Sequence, residues 1–215
     1  MQAHNCALHH VRSPRAMPVV LFDLGGVLVE SNGRSALQQL LPHLDTDQVL
    51  DRWNRSNAVG LFERGRMTEA EFAAAFIQEW ELSMGEEVFL ESFAAWVPGY
   101  INGATKLVRA IRGKHRVGCL SNTNAVHWKR MAELRGLFDF SFASHITGIM
   151  KPDREAYELV IDTLKAHPNE IHFFDDLQAN VSAAREVGIN AFLARSPQEV
   201  ESILLSSGLL SHAGT

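Results

Sequence analysis

The sequence predicts an α/β fold in which a parallel sheet is covered by helices on both faces. Two observations predict it: short, almost wholly apolar runs recur along the chain, and segments with helical periodicity separate them. Strands that are covered on both faces have this unalternated apolar character, and strand–helix alternation is typical of a parallel sheet flanked by helices. A third observation, a long stretch with helical signals alone, predicts a small second domain.

Four short apolar runs are the predicted strands. They are residues 19–22, 117–120, 171–174 and 190–194. The first run ends at Asp23 and is followed by two glycines, which is typical of a buried strand that enters a turn. The next two runs lead to Ser121 and Asp175, so each places a polar residue at the carboxyl end of its strand.

Apolar residues at helical spacing separate these runs. One stripe lies on residues 104–111 and another on residues 157–164. A third predicted helix, around residues 181–184, ends at Gly188, because glycine commonly follows the last helical turn. The last helix begins with a predicted capping box at residues 196–199, with proline at the first helical position.

The stretch from about Ser31 to Trp96 contains no strand-like run. A capping box at residues 68–71 begins a predicted helix, and aromatic residues at helical spacing follow: Phe72, Phe76, Trp80, Phe89, Phe93 and Trp96. Aromatics at this spacing favour the core of a helical unit over the lining of a ligand pocket. We therefore expect residues 31–96 to form a helical domain inserted into a core domain of residues 17–30 and 97–215.

Composition and charge exclude several classes of protein. The chain has 215 residues, 46% of them hydrophobic and 21% charged, and a formal net charge of -5, which is unlike a nucleic-acid-binding protein. Its two cysteines lie far apart and form no disulfide or zinc pattern. No apolar run approaches the ~20 residues that cross a bilayer. These features predict a soluble, cytoplasmic protein without a nucleic-acid or membrane partner.

The first sixteen residues carry three histidines and two arginines but no apolar run, so they do not resemble a secretory signal. We expect residues 1–16 to be a disordered tail, and we give its histidines no function.

Polar residues follow the predicted strands where each of them ends. They are Asp23, Ser121, Asn122, Asp175 and Asp176, joined by Lys151 from the loop of residues 148–152. Ligands of open α/β sheets bind beyond the carboxyl ends of the strands. Three buried carboxylates need a compensating charge, and Mg²⁺ commonly binds one or two carboxylates together with a substrate phosphate. The sequence therefore predicts a site for Mg²⁺ and a phosphate group.

Four segments resemble the four motifs of the haloacid dehalogenase (HAD) superfamily, in the right order and with a helical insert after the first. The segments are residues 22–28, 120–124, 151–152 and 173–180. The resemblance covers the chain from about residue 17 to its end and points to the branch that contains sugar-1-phosphate phosphatases and the phosphatase domain of soluble epoxide hydrolases. It implies a Rossmann-like three-layer core with a helical cap domain.

The resemblance also implies a role for each catalytic residue. Asp23 would be the nucleophile that forms an aspartyl-phosphate. Ser121, with Asn122, would hydrogen-bond the transferring phosphoryl group, and Lys151 would neutralise the nucleophile and the phosphate. The implied reaction is Mg²⁺-dependent hydrolysis of a small phosphorylated metabolite.

The implied metal site uses some of the same residues. Asp23, the backbone carbonyl of Gly25 and Asp176 would bind Mg²⁺, and Asp175 would bind it directly or through an intervening group. Asn180 would orient these acids.

Gly25 departs from the pattern of the superfamily. Most of its phosphatases have a second Asp two residues after the nucleophile, which protonates the leaving oxygen and then activates water. Three interpretations stay open at Gly25. The substrate has an easy leaving group, as a sugar 1-phosphate does; another group, such as a cap residue or a metal-bound water, takes over; or the protein is a catalytically weak binder of phosphorylated ligands.

The cap is expected to choose the substrate. Its polar candidates are Arg52, Arg55, Glu63, Arg64 and Arg66, of which Arg64 and Arg66 flank Gly65 in a turn that could contact a sugar or a second phosphate. His127 and Trp128 are expected to pack rather than to catalyse.

Two further functions are weighed against phosphatase activity. Hydrolytic dehalogenation uses the same nucleophile without a metal, but adjacent Asp175 and Asp176 would then repel Asp23. A regulatory or binding protein on this scaffold has Gly25 as its support. The oligomeric state is left open between monomer and homodimer.

Overall fold

A computed structural model describes residues 17–211, so the predicted tail of residues 1–16 lies outside the described residues. Five parallel strands form one sheet in the order β3-β2-β1-β4-β5. Their bounds are β1 Val19–Phe22, β2 Arg116–Ser121, β3 Phe140–Ala143, β4 Ile171–Asp175 and β5 Asn190–Leu193. The α/β class that the sequence predicts is thus confirmed, with β1 at the centre of the sheet.

Helices cover both faces of the sheet, and the strands explain why. Successive side chains of a strand point to opposite faces, so Val20 and Phe22 join one apolar cluster while Val19 and Leu21 join another. The flanking helices of the core are α6 Ala104–Ile111, α7 Ala125–Arg130, α8 Ala132–Arg135, α9 Ser144–Thr147, α10 Arg154–Leu164, α11 Gln178–Glu186 and α12 Pro197–Ser206, with a 3-10 turn at Pro168–Glu170.

The strand β3 adds one strand to the four that the sequence indicates. It is an edge strand, and its sequence Phe-Ser-Phe-Ala alternates apolar and small residues, with Ser141 exposed. Such a strand lacks the continuous apolar run of a strand that is covered on both faces.

The structure tests two of the predicted helix boundaries. Gly188 follows α11 with φ +88°, as its place after the last helical turn predicts. At α12 the Ser196 hydroxyl accepts from the N–H of Glu199 at 3.2 Å. The Glu199 carboxylate, however, accepts from the N–H of Arg195 at 2.8 Å, one residue before the cap, so the reciprocal half of the predicted capping box is wrong.

In chain order, five helices come between β1 and α6 and form a layer of their own. They are α1 Gly33–Leu40, α2 Thr46–Arg55, α3 Asn57–Glu63, α4 Glu69–Trp80 and α5 Glu86–Ala95. The capping box at Thr68 and Glu71 is present, and the predicted aromatic residues are buried in a separate apolar cluster that these helices share. We call this layer the cap.

The two chain segments that join the cap to the core run side by side. Glu30 N–H donates to the carbonyl of Gly99 at 3.0 Å, and Asn32 N–H donates to that of Trp96 at 2.8 Å. Within residues 17–211, none of the helices has the length and apolarity that crossing a bilayer requires.

Candidate active site

The polar residues that follow the strands converge at one edge of the sheet. β1 and β4 are neighbours with Phe22 opposite Phe174, and the N–H of Asp23 donates to the Phe174 carbonyl at 2.8 Å. Asp23 and Asp175 therefore lie side by side, and Asp176 follows. One ligand oxygen from each of the three aspartates lies within 4.8 Å of the others.

Lys151 supplies the positive charge in this cluster. Its Nζ lies 2.9 Å from Asp23 Oδ1 and 2.6 Å from Asp175 Oδ2, and its side chain is 1% exposed. Burial alone would lower the pKa of Lys151, but the charges of Asp23 and Asp175 outweigh burial and raise that pKa above its usual value. The ammonium therefore stays charged while buried.

Burial disfavours the charged forms of the acids in this cluster. Burial raises the pKa of Asp23 to about 7; Lys151 opposes this shift, and Asp175 and Asp176 add to it. Burial and the neighbouring Asp175 also raise the pKa of Asp176. One ammonium does not balance the negative charge of three carboxylates. A further positive charge at this site would therefore be stabilised electrostatically.

Asp175 has both of its carboxylate oxygens occupied by donors from the chain. Oδ1 accepts from the N–H of Leu177 at 2.9 Å, and Oδ2 accepts from Lys151 Nζ. The side-chain amide of Asn180 donates to both oxygens, at 2.9 and 3.0 Å. Asn180 thus holds Asp175, and Asp175 is better placed to position Lys151 than to ligate an ion directly.

Asp176 lies against the backbone of the loop that follows β1. A Cβ at Gly26 would lie 2.6 Å from Asp176 Oδ2, and Gly26 has φ +74°, a conformation that glycine adopts without strain. Only glycine leaves this space for the carboxylate. The loop after β1 therefore packs against the carboxylate of Asp176. Together with the oxygens of Asp23 and Asp175, this carboxylate forms a set of oxygen donors that suits Mg²⁺.

Ser121 and Asn122 differ in what their side chains do. Ser121 is buried at the end of β2, and among residues 17–211 its hydroxyl takes part in no hydrogen bond within the chain. The Asn122 side chain instead donates to the Lys151 carbonyl at 2.8 Å and accepts from the Lys151 N–H at 2.9 Å. Asn122 therefore positions Lys151, and its predicted contact with the phosphoryl group stays a prediction.

Ser144 is a positioning residue that the sequence analysis missed. Its hydroxyl accepts from the N–H of Thr123 and donates to the carbonyl of Thr123, both at 2.9 Å. These two bonds fix the loop after β2, which carries Asn122, to the first residue of α9. Because β3 itself was not predicted, the residue that follows it gave no signal for this contact.

Gly25 leaves open space beside the nucleophile. A Cβ built at this position would meet no atom within 4 Å. Nothing in the described part of the core therefore fills the place from which the missing Asp side chain would project.

The predicted substrate turn of the cap rests on the core. Arg64 Nη2 lies 3.3 Å from Asp153 Oδ2, in the loop that carries Lys151. A Cβ at Gly65 would lie 2.1 Å from the His145 carbonyl oxygen, so the turn touches α9. Arg66 is exposed.

Among the other candidates of the sequence analysis, Arg52, His127 and Trp128 make contacts within the chain. Arg52 donates to the Glu79 carbonyl at 2.7 Å inside the cap, and Arg55 is exposed. His127 is hydrogen-bonded to Asn124 and to the Phe93 carbonyl. Trp128 is buried in the core.

Comparison with known families places the chain in one of them. Residues 17–188 match the family described as haloacid dehalogenase-like hydrolase. The chain belongs to this family. The resemblance inferred from the four motifs is thereby confirmed, and the chain is a HAD-like hydrolase.

Several known proteins are similar to this hydrolase. It is 28% identical over 188 residues to D-ribitol-5-phosphate phosphatase from Bacteroides thetaiotaomicron, which covers 80% of this chain and 89% of that protein. It is 45% identical over 65 residues to bifunctional epoxide hydrolase 2 from Sus scrofa, but this match covers only 30% of the chain and 12% of the relative.

A solved structure shares the fold of the hydrolase. It is a HAD family enzyme from Bacteroides thetaiotaomicron, in complex with magnesium and inorganic phosphate, with a TM-score of 0.70 and 22% identity over 82% of this chain and 93% of that one. At this identity the likeness establishes the fold of the HAD-like hydrolase and no more.

Proposed function

We propose that this HAD-like hydrolase is a Mg²⁺-dependent phosphomonoesterase in which Asp23 is the nucleophile. The observation that carries the proposal is the ammonium of Lys151 between Asp23 and Asp175, with the carboxylate of Asp176 beside them. This arrangement supplies a buried nucleophile, one fixed positive charge and free acid oxygens on the side where a second positive charge is needed. A phosphate dianion together with a cation complements it.

Asp23, Asp176 and the backbone carbonyl of Gly25 are the groups that would hold the ion. Bound there, Mg²⁺ would supply Lewis-acid charge that offsets the negative charge of a phosphate and of the carboxylates. Asp175, with its oxygens already filled by Lys151, Leu177 and Asn180, supports the site from behind.

The residues of the site have separate roles in the proposed reaction. An oxygen of Asp23 attacks phosphorus, the bond to the leaving oxygen breaks, and water later cleaves the aspartyl-phosphate. Lys151 favours the deprotonated form of the nucleophile and neutralises charge on the phosphoryl oxygens. The unengaged hydroxyl of Ser121 donates to one of those oxygens, while Asn122 fixes the backbone of Lys151.

The structure favours phosphate-ester hydrolysis over dehalogenation. A nucleophile that attacks carbon without a cation would work beside two further carboxylates, and these already raise the pKa of Asp23. The phosphatase that aligns with most of the chain supports the same choice.

We further propose a small phosphorylated metabolite, for which a sugar 1-phosphate is one example, as the substrate. A cytoplasmic location, a monomeric or homodimeric state and the absence of nucleic-acid and membrane partners stay predictions.

Release of inorganic phosphate from a panel of sugar, polyol and aryl phosphates tests this function. We expect turnover with Mg²⁺, none after EDTA treatment, and a loss of at least ~10³-fold in Asp23→Asn, because the nucleophile is removed. Asp162→Asn, an exposed aspartate on α10, is the matched control and keeps full activity. Unchanged hydrolysis by Asp23→Asn contradicts the proposal, and halide release from 2-chloropropionate without metal establishes dehalogenation instead.

A further inference from the structure

Glu63 is a carboxyl group of the cap that the proposed mechanism does not yet use. It is the last residue of α3, and the two residues after it rest on the core. Arg64 pairs with Asp153, and Gly65 lies against the carbonyl of His145. These contacts lie on both sides of the loop that carries Lys151, so they fix the end of α3 over the catalytic edge of the sheet.

The charges of the site act on Glu63. Burial raises the pKa of Glu63 to about 7; Arg64 opposes this shift, the charge of Asp23 adds to it, and Lys151 opposes it. Within residues 17–211, its carboxyl group takes part in no hydrogen bond or ion pair. It is thus an unengaged acid at the end of α3, next to the residue that pairs with Asp153 in the loop of Lys151.

Gly25 leaves a matching gap in the core. No atom lies within 4 Å of the place where a Cβ of residue 25 would be. The position from which most phosphatases of the superfamily project their acid is open, and Glu63 ends the cap helix α3 directly before the two residues that rest on the core.

We propose that the carboxyl group of Glu63 is the general acid and base that the core lacks at position 25. This inference rests on the proposed phosphomonoesterase function. In the first step Asp23 Oδ bonds to phosphorus, the bond from phosphorus to the leaving oxygen breaks, and the Glu63 proton moves to that oxygen. In the second step the Glu63 carboxylate removes a proton from water, whose oxygen bonds to phosphorus while the bond to Asp23 breaks. Phosphate, Asp23 carboxylate and protonated Glu63 result.

The pKa of Glu63 suits both steps. A group with a pKa of about 7 is present in its acid and base forms at neutral pH, which is the condition for efficient general acid–base catalysis. Of the other titratable groups near the turn, Asp153 pairs with Arg64, and burial lowers the pKa of His145. His127 is held by Asn124 and by a backbone carbonyl, and burial lowers its pKa.

The dependence on the leaving group tests the role of Glu63. The aryl substrate 4-nitrophenyl phosphate has a leaving oxygen that departs without a proton, whereas an alkyl phosphate needs one. In Glu63→Gln we expect kcat/KM for the alkyl phosphate to fall by ~10²–10⁴-fold and kcat/KM for the aryl phosphate to change by less than ~10-fold. Rapid quenching should show phospho-enzyme accumulating with the aryl substrate, because its hydrolysis has lost the base.

Two further variants complete the test. Glu81→Gln removes an exposed carboxylate of the cap and should leave both substrates unaffected. Gly25→Asp added to Glu63→Gln restores an acid from the open position in the core and should recover at least ~10-fold of the lost activity. A double variant that melts at the same temperature as Glu63→Gln but is no faster counts against the proposal.

Failure of this inference is separate from failure of the proposed function. If the wild-type chain releases phosphate and Asp23→Asn does not, the phosphomonoesterase function stands. If kcat/KM of Glu63→Gln then fell equally for both substrates because KM rose, Glu63 would bind the substrate. If kcat/KM were unchanged for both, Glu63 would take no part in the reaction. Either result overturns the acid–base role alone.

Discussion

The Nζ atom of Lys151 lies 2.9 Å from Oδ1 of Asp23, and both side chains are almost completely buried. Asp175 contacts the same ammonium at 2.6 Å, and its charge raises the pKa of both Lys151 and Asp23. Charge balance in this cluster, rather than the identity of any single acid, therefore governs both the stability of the core and the reactivity of the nucleophile.

Replacing Lys151 by Met tests this charge balance. The substitution leaves buried Asp23 and Asp175 without their cation, and breaking a buried ion pair in this way typically costs about 3–5 kcal/mol. We expect the free energy of unfolding in urea to fall by that amount at pH 8, and activity to be lost. Lys106→Met, at an exposed position on α6, is the control and should unfold like the wild type. An equal stability of the two variants would contradict the role of Lys151.

Asp23→Asn should stabilise the metal-free protein in a pH-dependent way. The pKa of Asp23 is raised from 3.8 to about 7 in the folded state, so the folded protein binds this proton more tightly than the unfolded chain does. The resulting stabilisation is complete below about pH 3.8 and is lost as the pH rises through 7. Asn carries no charge and avoids this loss.

Melting temperatures in EDTA at pH 5 and pH 8 measure the effect. The increase of Asp23→Asn over the wild type should be larger at pH 8, where ~1 kcal/mol corresponds to about 2–4 °C for a chain of this size. Added Mg²⁺ should raise the melting temperature of the wild type most at pH 8. The same increase at both pH values would show that the carboxyl group does not titrate in this range.

The sequence predicted the acids and the lysine of the site because parallel strands end at the same edge of a sheet. Asp23, Ser121 and Asp175 each follow an apolar run, so their convergence follows from the topology. The side chain of Asn122 could not be predicted in the same way, because its direction depends on the backbone of Lys151, 29 residues away.

Contacts between distant elements could not be predicted from the sequence either. The strand β3 is short and lies at the edge, so neither it nor the bonds of Ser144 to Thr123 left a periodic signal. The place of Glu63 depends on how the cap rests on α9 and on the loop near Lys151. No local pattern encodes that arrangement, although the residue types of the cap turn were visible.

Gly26→Ala should weaken metal binding by displacing Asp176. The new Cβ would lie 2.6 Å from Asp176 Oδ2, and φ at this position is +74°, which strains any residue with a side chain. We expect the Mg²⁺ concentration for half-maximal activity to rise by at least ~10-fold. Gly113→Ala has a similar backbone conformation, φ +88°, and no atom within 4 Å of its Cβ, so it shows the effect of backbone strain alone. Equal Mg²⁺ dependence in both variants would contradict the steric argument.

Asn180 should matter through Asp175, and its two obvious substitutions should differ in a definite order. Asn180→Ala removes the amide that donates to both oxygens of Asp175, at 2.9 and 3.0 Å, and leaves a buried carboxylate with fewer donors. Loss of such a supporting group typically lowers metal affinity or activity by ~10–100-fold. Asn180→Asp replaces the donor by a like charge beside Asp175 and should be worse in both stability and activity.

Mg²⁺ titrations followed by activity, together with urea unfolding, distinguish these variants of Asn180. Asn180→Ala should lose ~1–3 kcal/mol of unfolding free energy, the usual cost of an unsatisfied buried polar group. Asn169→Ala, whose side chain lies at an exposed site, is the control. If Asn180→Asp proved as stable and as active as the wild type, Asp175 would have to be protonated or turned away, because two adjacent carboxylates cannot share one ammonium without a cost. The arrangement around Lys151 would then differ from the one described above.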